Sequence, residues 1–187
     1  MNLKLEISKD VDRGLKCQEC KEPGLERLLD LGYQPLCNDF LPSTQAPSAH
    51  TFYPLCMYYC NRCSLAQLGY VIPTEDTFGE QYTYLTGSSK TLVDYYNALA
   101  QQLNDQFNLS PGDVVVEIGS NDGTFLKALQ EFGLTVLGVE GSPQASAFSL
   151  KDGIPTIDRF FGTDSAKVIK DQLPQGSKIK LVIAMNV

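Results

Sequence analysis

The feature that most constrains this chain is a pair of Cys-x-x-Cys sequences, Cys17-Gln-Glu-Cys20 and Cys60-Asn-Arg-Cys63, separated by 39 residues. A gap of two residues lets both thiolates of one sequence reach the same metal ion, and two such sequences supply a closed tetrahedral site. Residues 14–73 carry frequent proline and little helical periodicity, so this segment needs a cross-link to fold. We predict a structural zinc site whose ligands are Cys17, Cys20, Cys60 and Cys63. Four free core cysteines, an iron–sulfur centre and redox disulfides are the alternatives.

The position of the other cysteines supports metal binding over disulfides. All six cysteines lie between Cys17 and Cys63, and such clustering in a reducing compartment is typical of metal sites. Cys37 and Cys56 have apolar neighbours, so we predict that both are buried thiols. Residues 1–16 mix charges and lack the apolar stretch of a signal peptide, and no apolar run reaches the length of a membrane span. A cytoplasmic protein with no membrane partner is therefore the expectation.

The net charge of the chain limits the kinds of partner that it can bind. The formal net charge is -7, and no run of Lys or Arg is longer than two residues. A protein that neutralises phosphates along a nucleic acid needs the opposite balance. A zinc-containing nucleic-acid binder is therefore disfavoured, and we expect no nucleic-acid partner.

The second half of the chain alternates apolar runs with helical patterns, which predicts α/β units and a parallel sheet. Before it, apolar residues at helical spacing predict a helix within 74–110, capped by Ser88 or Ser89 and ended before Ser110-Pro111-Gly112. The predicted domains are 1–73 (zinc-binding), 74–110 (helical bridge) and 111–187 (the α/β part). Strands are expected at 114–118, 135–139, 154–157 and 180–187, and helices at 123–132, from Pro143, and from a Thr163 cap to Leu173.

A glycine-containing loop follows the first of these strands. In Glu117-Ile118-Gly119-Ser120-Asn121-Asp122-Gly123, Gly119 and Gly123 let the backbone approach a ligand at the carboxyl end of the strand. The dinucleotide fingerprint needs glycine where Asn121 stands, so a ligand without a phosphate suits the loop better and a NAD-dependent dehydrogenase is disfavoured. Glu140 ends the next strand, where an acid accepts hydrogen bonds from both ribose hydroxyls. Glu117 is placed to orient the loop or to meet an ammonium group. A tight turn with a solvated glutamate is the alternative interpretation.

Taken together, these residues resemble the sugar C-methyltransferases of deoxysugar biosynthesis, enzymes dependent on S-adenosylmethionine (SAM) that carry an N-terminal zinc-binding domain. The resemblance runs from Cys17 onward. Besides the two Cys-x-x-Cys sequences it includes Leu31-Gly32-Tyr33-Gln34-Pro35-Leu36-Cys37-Asn38-Asp39-Phe40, Tyr53-Pro54-Leu55, Tyr82-Thr83-Tyr84-Leu85-Thr86-Gly87-Ser88-Ser89, Val116-Glu117-Ile118-Gly119-Ser120-Asn121-Asp122-Gly123 and Asn186-Val187.

The resemblance implies a zinc-binding module followed by a Rossmann-type methyltransferase domain, and methyl transfer from SAM to a carbon of a nucleotide-linked keto-sugar. It implies that Glu117, Gly119, Asn121, Gly123, Glu140 and Asn186 bind SAM. It makes Tyr84 a candidate catalytic residue, although Tyr82 and Tyr84 packing between domains is an equal alternative.

The chain also departs from the family pattern. A histidine expected after the Tyr/Ser segment is replaced by Asp94-Tyr95-Tyr96, and the motif that begins at Asn186-Val187 stops there. We therefore expect a fragment truncated within the methyltransferase domain, with strand order 3-2-1-4, weak or absent SAM binding, and no turnover by this chain alone. The apolar fourth strand would be an edge that favours self-association. A non-catalytic, zinc-containing partner-docking module is the alternative function.

Overall fold

The computed structural model describes residues 14–38, 40, 43–45, 50–79 and 82–187. The chain divides into two compact units, with the boundary between Thr77 and Phe78. The finer division into domains 1–73, 74–110 and 111–187 stays a prediction. Within the described part of the chain, no helix combines the length and the apolar character needed to cross a membrane.

The first unit is built on a small antiparallel sheet. Strands β1 (Glu26–Pro35), β2 (Phe52–Tyr59) and β3 (Ala66–Leu68) lie in the order β1-β2-β3, and a short helix α1 (Thr74–Phe78) follows them. Nearly every residue of β1 is exposed, and β2 buries only Cys56 and Tyr58. A sheet with so little buried apolar surface cannot supply the free energy of folding by itself, as the sequence predicts.

The prediction for the two remaining cysteines is half right. Cys56 is buried, and its thiol donates a hydrogen bond to Asp30 Oδ1 at 3.2 Å. Cys37 is exposed, so its predicted burial is wrong. Cys37 leaves the end of β1, whose own side chains face solvent, and apolar neighbours in sequence do not provide a core there.

The second unit begins with a helix that the sequence predicts. A single 3-10 turn (Thr86–Ser88) leads into α2 (Lys90–Phe107). Ser89 is the N-cap, and its hydroxyl accepts a hydrogen bond from the backbone N–H of Leu92 at 3.4 Å. Asn108 ends the helix in the left-handed conformation, with φ of 48°.

A parallel sheet of four strands forms the centre of this unit. The strands are β4 (Val114–Ile118), β5 (Thr135–Glu140), β6 (Thr156–Asp158) and β7 (Ile179–Ala184), in the order β6-β5-β4-β7. Helices α3 (Thr124–Gln130), α4 (Pro143–Lys151) and α5 (Ser165–Gln172) connect them. This order corresponds to the predicted 3-2-1-4, so the mixed α/β, Rossmann-type fold class is confirmed.

The central strand β4 is covered on both faces. Val115 belongs to a cluster with residues of α2 and α3, including Tyr96 and Phe125, while Val116 belongs to a cluster with Ile169 of α5. Successive side chains of a strand point to opposite faces, so two layers of helices bury all of its valines. Full burial of a side chain the size of Phe125 stabilises the fold by about 2–3 kcal/mol. This core holds the strand ends that carry the candidate site.

Several predicted limits differ from the structure by one to three residues. The third strand is Thr156–Asp158 and not 154–157, because Ile154 is buried in the core and Pro155 has no N–H to donate to a ladder. The predicted cap Thr163 is wrong by one residue, since Asp164 precedes α5. The fourth strand ends at Ala184, and Asn186 has a left-handed backbone with φ of 58°.

Candidate metal centre and cofactor loop

The two Cys-x-x-Cys sequences fold into turns with the same conformation. The backbone N–H of Lys21 donates to the carbonyl of Cys17 at 3.0 Å, and that of Ser64 donates to the carbonyl of Cys60 at 2.8 Å. Lys21 and Ser64 are both left-handed, with φ of 62° and 63°. Each turn therefore presents its two thiols on the same side, towards the other turn.

The four predicted zinc ligands lie together. The sulfur atoms of Cys17, Cys20, Cys60 and Cys63 are all within 4.8 Å of one another. The Sγ atoms of Cys17 and Cys63 are 3.5 Å apart, and those of Cys20 and Cys60 are 3.6 Å apart. A tetrahedron with Zn–S bonds of about 2.3 Å has sulfur–sulfur edges of about 3.8 Å. The spacing therefore fits a single tetrahedral ion.

The electrostatics of the four thiols also fit a cation. Burial raises the pKa of Cys17, but hydrogen bonds from the backbone of Cys20 and Glu19 outweigh it and bring that pKa to about 6. A backbone hydrogen bond at Glu22 lowers the pKa of Cys20, yet burial and the neighbouring thiols raise it to about 12. Crowded thiols cannot all ionise by themselves, and a dication between them removes that restriction.

Gln67 supports the metal centre and is absent from the sequence prediction. Its side chain is buried, and its Oε1 accepts a hydrogen bond from the backbone N–H of Gln18 at 2.8 Å. Its Nε2 donates to the carbonyl of Lys16 at 3.5 Å. The amide thus joins β3 to the first cysteine turn. The contact spans about fifty residues of sequence, so no local pattern signals it.

The predicted glycine loop connects β4 to α3. Gly119 and Gly123 have φ of 67° and 77°, and both positions lack space for a side chain. A Cβ atom on Gly119 would lie 2.1 Å from Val187 Cγ1, and one on Gly123 would lie 2.5 Å from Ser149 Oγ. The loop needs glycine at both positions. Val187 thus lies against the loop at Gly119, while the neighbouring Asn186 is exposed.

Glu140 holds this loop in place. Its carboxylate lies at the end of β5 and is 7% exposed. Oε2 accepts a hydrogen bond from the backbone N–H of Asn121 at 2.8 Å, and Oε1 accepts one from the backbone N–H of Ser142 at 2.7 Å. Each carboxylate oxygen has two lone pairs, so both oxygens keep one for a ligand hydroxyl. Glu140 can therefore organise the loop and bind a ligand at once.

Glu117 is a buried acid at the end of β4. It is 3% exposed, and within the described residues its Oε2 atom has no hydrogen-bond partner. Burial raises the pKa of Glu117 to about 8, with added repulsion from Glu140 and Asp122. The hydroxyls of Ser120 and Ser142 are likewise buried without a described partner. Buried polar atoms in native proteins are normally hydrogen-bonded, so these three groups around the loop indicate a polar ligand or water.

The structure brings Tyr84 to the same loop through its backbone. Asn121 Nδ2 donates to the carbonyl of Tyr84 at 3.1 Å, and Asn121 Oδ1 accepts from the N–H of Thr86 at 2.8 Å. Tyr84 is 39% exposed, and its ring lies 6.3 Å from that of Tyr82, centroid to centroid. Glu117, Gly119, Asn121, Gly123 and Glu140 thus share one end of the sheet with the tyrosine segment. The sequence does not predict the contacts of Asn121 with Tyr84 and Thr86, which lie 35 or more residues earlier in the chain.

Comparison with known proteins gives a family match within residues 17–78 and a relative that aligns with most of the chain. Residues 17–78 match a protein family described as "Putative zinc binding domain". The C-methyltransferase NovU of Streptomyces niveus is 29% identical over 154 residues, which cover 81% of this chain and 36% of NovU. The chain thus spans about a third of the length of this curated relative. The predicted resemblance to C-methyltransferases with a zinc-binding domain is confirmed.

Solved structures give only partial likenesses. A SAM-dependent methyltransferase from Geobacter sulfurreducens, in complex with S-adenosyl-L-homocysteine, aligns with a TM-score of 0.37 and 18% identity over 62% of this chain and 44% of its own. YjhP from E. coli aligns with a TM-score of 0.30 and 20% identity over 35% of this chain and 29% of its own. The fold assignment rests on the sheet order and not on these values.

Proposed function

We propose that this chain carries the zinc-binding module and the cofactor-binding half of a SAM-dependent methyltransferase. The observation that carries the proposal is the pair of acids at adjacent strand ends, Glu117 and Glu140, around the tight glycine loop. Glu117 is buried with an oxygen that has no partner among the described residues, and Glu140 is fixed by two backbone donors. The C-methyltransferase activity of NovU supports the reaction class.

The two acids suit different parts of the cofactor. Glu140 offers lone pairs to the two ribose hydroxyls, and the unpartnered oxygen of Glu117 offers an acceptor to an ammonium group. Gly119 and Gly123 leave room for close approach to the backbone. Asn186, next to the residue that reaches Gly119, completes the proposed cofactor site. Bound there, SAM supplies an electrophilic methyl group.

Zinc in this proposal is structural. Four thiolates close a tetrahedral site and leave no position for water or substrate, so the ion folds the first unit and takes no part in the reaction. The support is the sulfur cluster, with all four atoms within 4.8 Å, and the family match over residues 17–78.

The substrate in this proposal is a nucleotide-linked keto-sugar, methylated at a carbon next to its carbonyl group. Support comes from the C-methyltransferase relative and from Tyr84, a partly exposed residue whose backbone carbonyl accepts a hydrogen bond from Asn121 of the cofactor loop. A phenol there can donate a hydrogen bond to a substrate oxygen. The base that removes the proton is proposed to lie in the part of a longer protein that corresponds to the rest of the relative.

Titration calorimetry of S-adenosylhomocysteine into the zinc-loaded chain tests the cofactor site. We expect weak but detectable binding, reduced by a further factor of about ten in Glu140→Gln, because one carboxylate oxygen becomes an amide donor facing a backbone N–H. Glu131→Gln is the matched control, since Glu131 is an exposed acid just after α3. A folded, zinc-loaded sample that binds no S-adenosylhomocysteine would contradict the proposal for this chain.

One observation favours the second candidate function, a partner-docking module. Among the described residues, β7 pairs with β4 on one side only, and Val182 in its middle is 55% exposed. An apolar strand with free backbone groups is a template for another strand. We expect concentration-dependent self-association in light scattering, reduced by Val182→Lys. A strictly monomeric wild-type chain across the concentration range would count against docking through this edge.

A further inference from the structure

The tyrosine segment is attached to the cofactor loop by two adjacent side chains. Asn121 accepts from the N–H of Thr86 at 2.8 Å and donates to the carbonyl of Tyr84 at 3.1 Å. Asp122 Oδ2 accepts from the N–H of Gly87 at 2.7 Å. All of these contacts join residues that are 35 or more positions apart in sequence. They are therefore tertiary contacts and not part of a local turn.

Gly87 shows how closely the two segments approach. A Cβ atom on Gly87 would lie 2.8 Å from Thr124 Oγ1 and 3.0 Å from Asp122 Oδ2. Asp122 also accepts from the backbone N–H of Thr124 at 3.2 Å, at the start of α3. The same carboxylate thus accepts hydrogen bonds from the first residue of α3 and from the 3-10 turn that precedes α2.

We propose that Asn121 and Asp122 are positioning residues, whose side chains fix the Tyr84–Gly87 segment beside the cofactor loop. This inference rests on the proposed function and assigns Asn121 a role other than its predicted one. Both polar atoms of the Asn121 amide already have backbone partners within the chain. These two hydrogen bonds fix the orientation of the amide towards the segment, and leave one N–H of Nδ2 and one lone pair of Oδ1 unused by them.

A continuous path of hydrogen bonds runs from the cofactor acid to the tyrosine. Glu140 Oε2 accepts from the N–H of Asn121, and the side chain of Asn121 holds Tyr84 and Thr86. Glu140 therefore sets the loop conformation from which the Asn121 side chain reaches the tyrosine segment. This path holds the backbone of Tyr84, while its ring lies 6.3 Å from that of Tyr82, centroid to centroid.

Asn121→Gly tests the proposal with a matched control. Asn121 is left-handed with φ of 50°, a conformation that glycine adopts freely, so the substitution removes the amide without straining the backbone. Asn108, at the end of α2, is also left-handed and is exposed, so Asn108→Gly is a control that changes the same residue type in the same backbone conformation. Hydrogen exchange of a peptide covering residues 82–92 is measured for the wild type and both variants.

The expected result is faster exchange of the Thr86 amide by about tenfold in Asn121→Gly and no change in Asn108→Gly. If the Thr86 and Gly87 amides of the wild type already exchange as fast as in Asn121→Gly, the proposal is wrong. It is also wrong if Asn121→Gly abolishes ligand binding and leaves exchange unchanged.

A fluorescence reporter supplies a second readout, in which Asn108→Gly controls for general destabilisation. The chain contains no tryptophan, so Tyr84→Trp introduces a single indole into the segment. Adding Asn121→Gly should raise acrylamide quenching of that indole at least twofold, while adding Asn108→Gly should not. Equal quenching in both double variants would overturn the proposal.

Asp122→Ser provides a second route if Asn121→Gly fails to fold. Serine can still cap the N–H of Thr124 but is too short to reach that of Gly87, so only the contact to the segment is lost. Faster exchange at Gly87 supports the proposal, and unchanged exchange there contradicts it. All exchange measurements are made without ligand, so failure of the wild type to bind S-adenosylhomocysteine would refute the proposed function and leave this inference standing.

Discussion

Replacement of Glu117 by glutamine should change how the stability of the second unit depends on pH. Burial raises the pKa of Glu117 from an ordinary 4.5 to about 8, with Glu140 and Asp122 contributing repulsion. Between these values the folded state keeps a proton that the unfolded state releases. Unfolding therefore becomes more favourable as pH rises through this window, and the loss stops above about pH 8. A shift of about 3.5 pKa units corresponds to about 5 kcal/mol.

Glutamine is close to the protonated acid in shape and has no charge to release, so Glu117→Gln should remove this loss. Urea denaturation followed by far-ultraviolet circular dichroism at several values between pH 5 and pH 8.5 measures it. The variant should be close to the wild type near pH 5 and more stable by an amount that grows to about 5 kcal/mol near pH 8. Glu131→Gln, at an exposed acid, should show no such divergence.

Parallel stability curves for Glu117→Gln and the wild type would refute the reasoning. They would mean that Glu117 titrates near its ordinary pKa in the folded chain, and thus that its unpartnered oxygen is satisfied by water. A divergence of the predicted sign would also give a binding test. An ammonium group that meets Glu117 favours the ionised form, so binding should release protons in the wild type and not in Glu117→Gln.

Three further predictions concern the metal and the core. Removal of zinc by a chelator, or Cys60→Ser, should unfold the first unit and leave the circular dichroism of the α/β unit largely intact, because the four thiolates cross-link a sheet with little core. Gly123→Ala should destabilise the second unit by about 1–3 kcal/mol more than Gly153→Ala in urea, since both glycines are left-handed but only Gly123 has close neighbours. Phe125→Ala should lower the free energy of unfolding by about 3–5 kcal/mol in the same assay. It leaves a cavity in the core and removes the stacking of the Phe125 ring on that of Tyr96, whose centroid lies 4.9 Å away.

The sequence predicts those parts of the molecule whose signals are local. A run of valines at 114–116 implies a strand buried on both faces, and the cysteine spacing implies four sulfur atoms around one point. Burial of Cys37 is predicted wrongly, because apolar neighbours in sequence do not reveal that the strand before them faces solvent.

The supporting contacts of the candidate site carry no such local signal. Gln67 reaches the first cysteine turn, and Asn121 reaches Thr86, across 35 to about 50 residues of sequence. Amide side chains are common on protein surfaces, and their type alone does not indicate which backbone group they meet. Only the folded arrangement of strands and turns selects the partner.

The two backbone hydrogen bonds to Glu140 have a consequence for the energetics of recognition. Ordering a flexible side chain on association costs about 0.5–1.5 kcal/mol, and a carboxylate already held at both oxygens has little freedom left to lose. That entropy is lost during folding, before any ligand arrives. The acceptor is thus preorganised, and aspartate, one methylene shorter, cannot reach the same two donors without moving the loop.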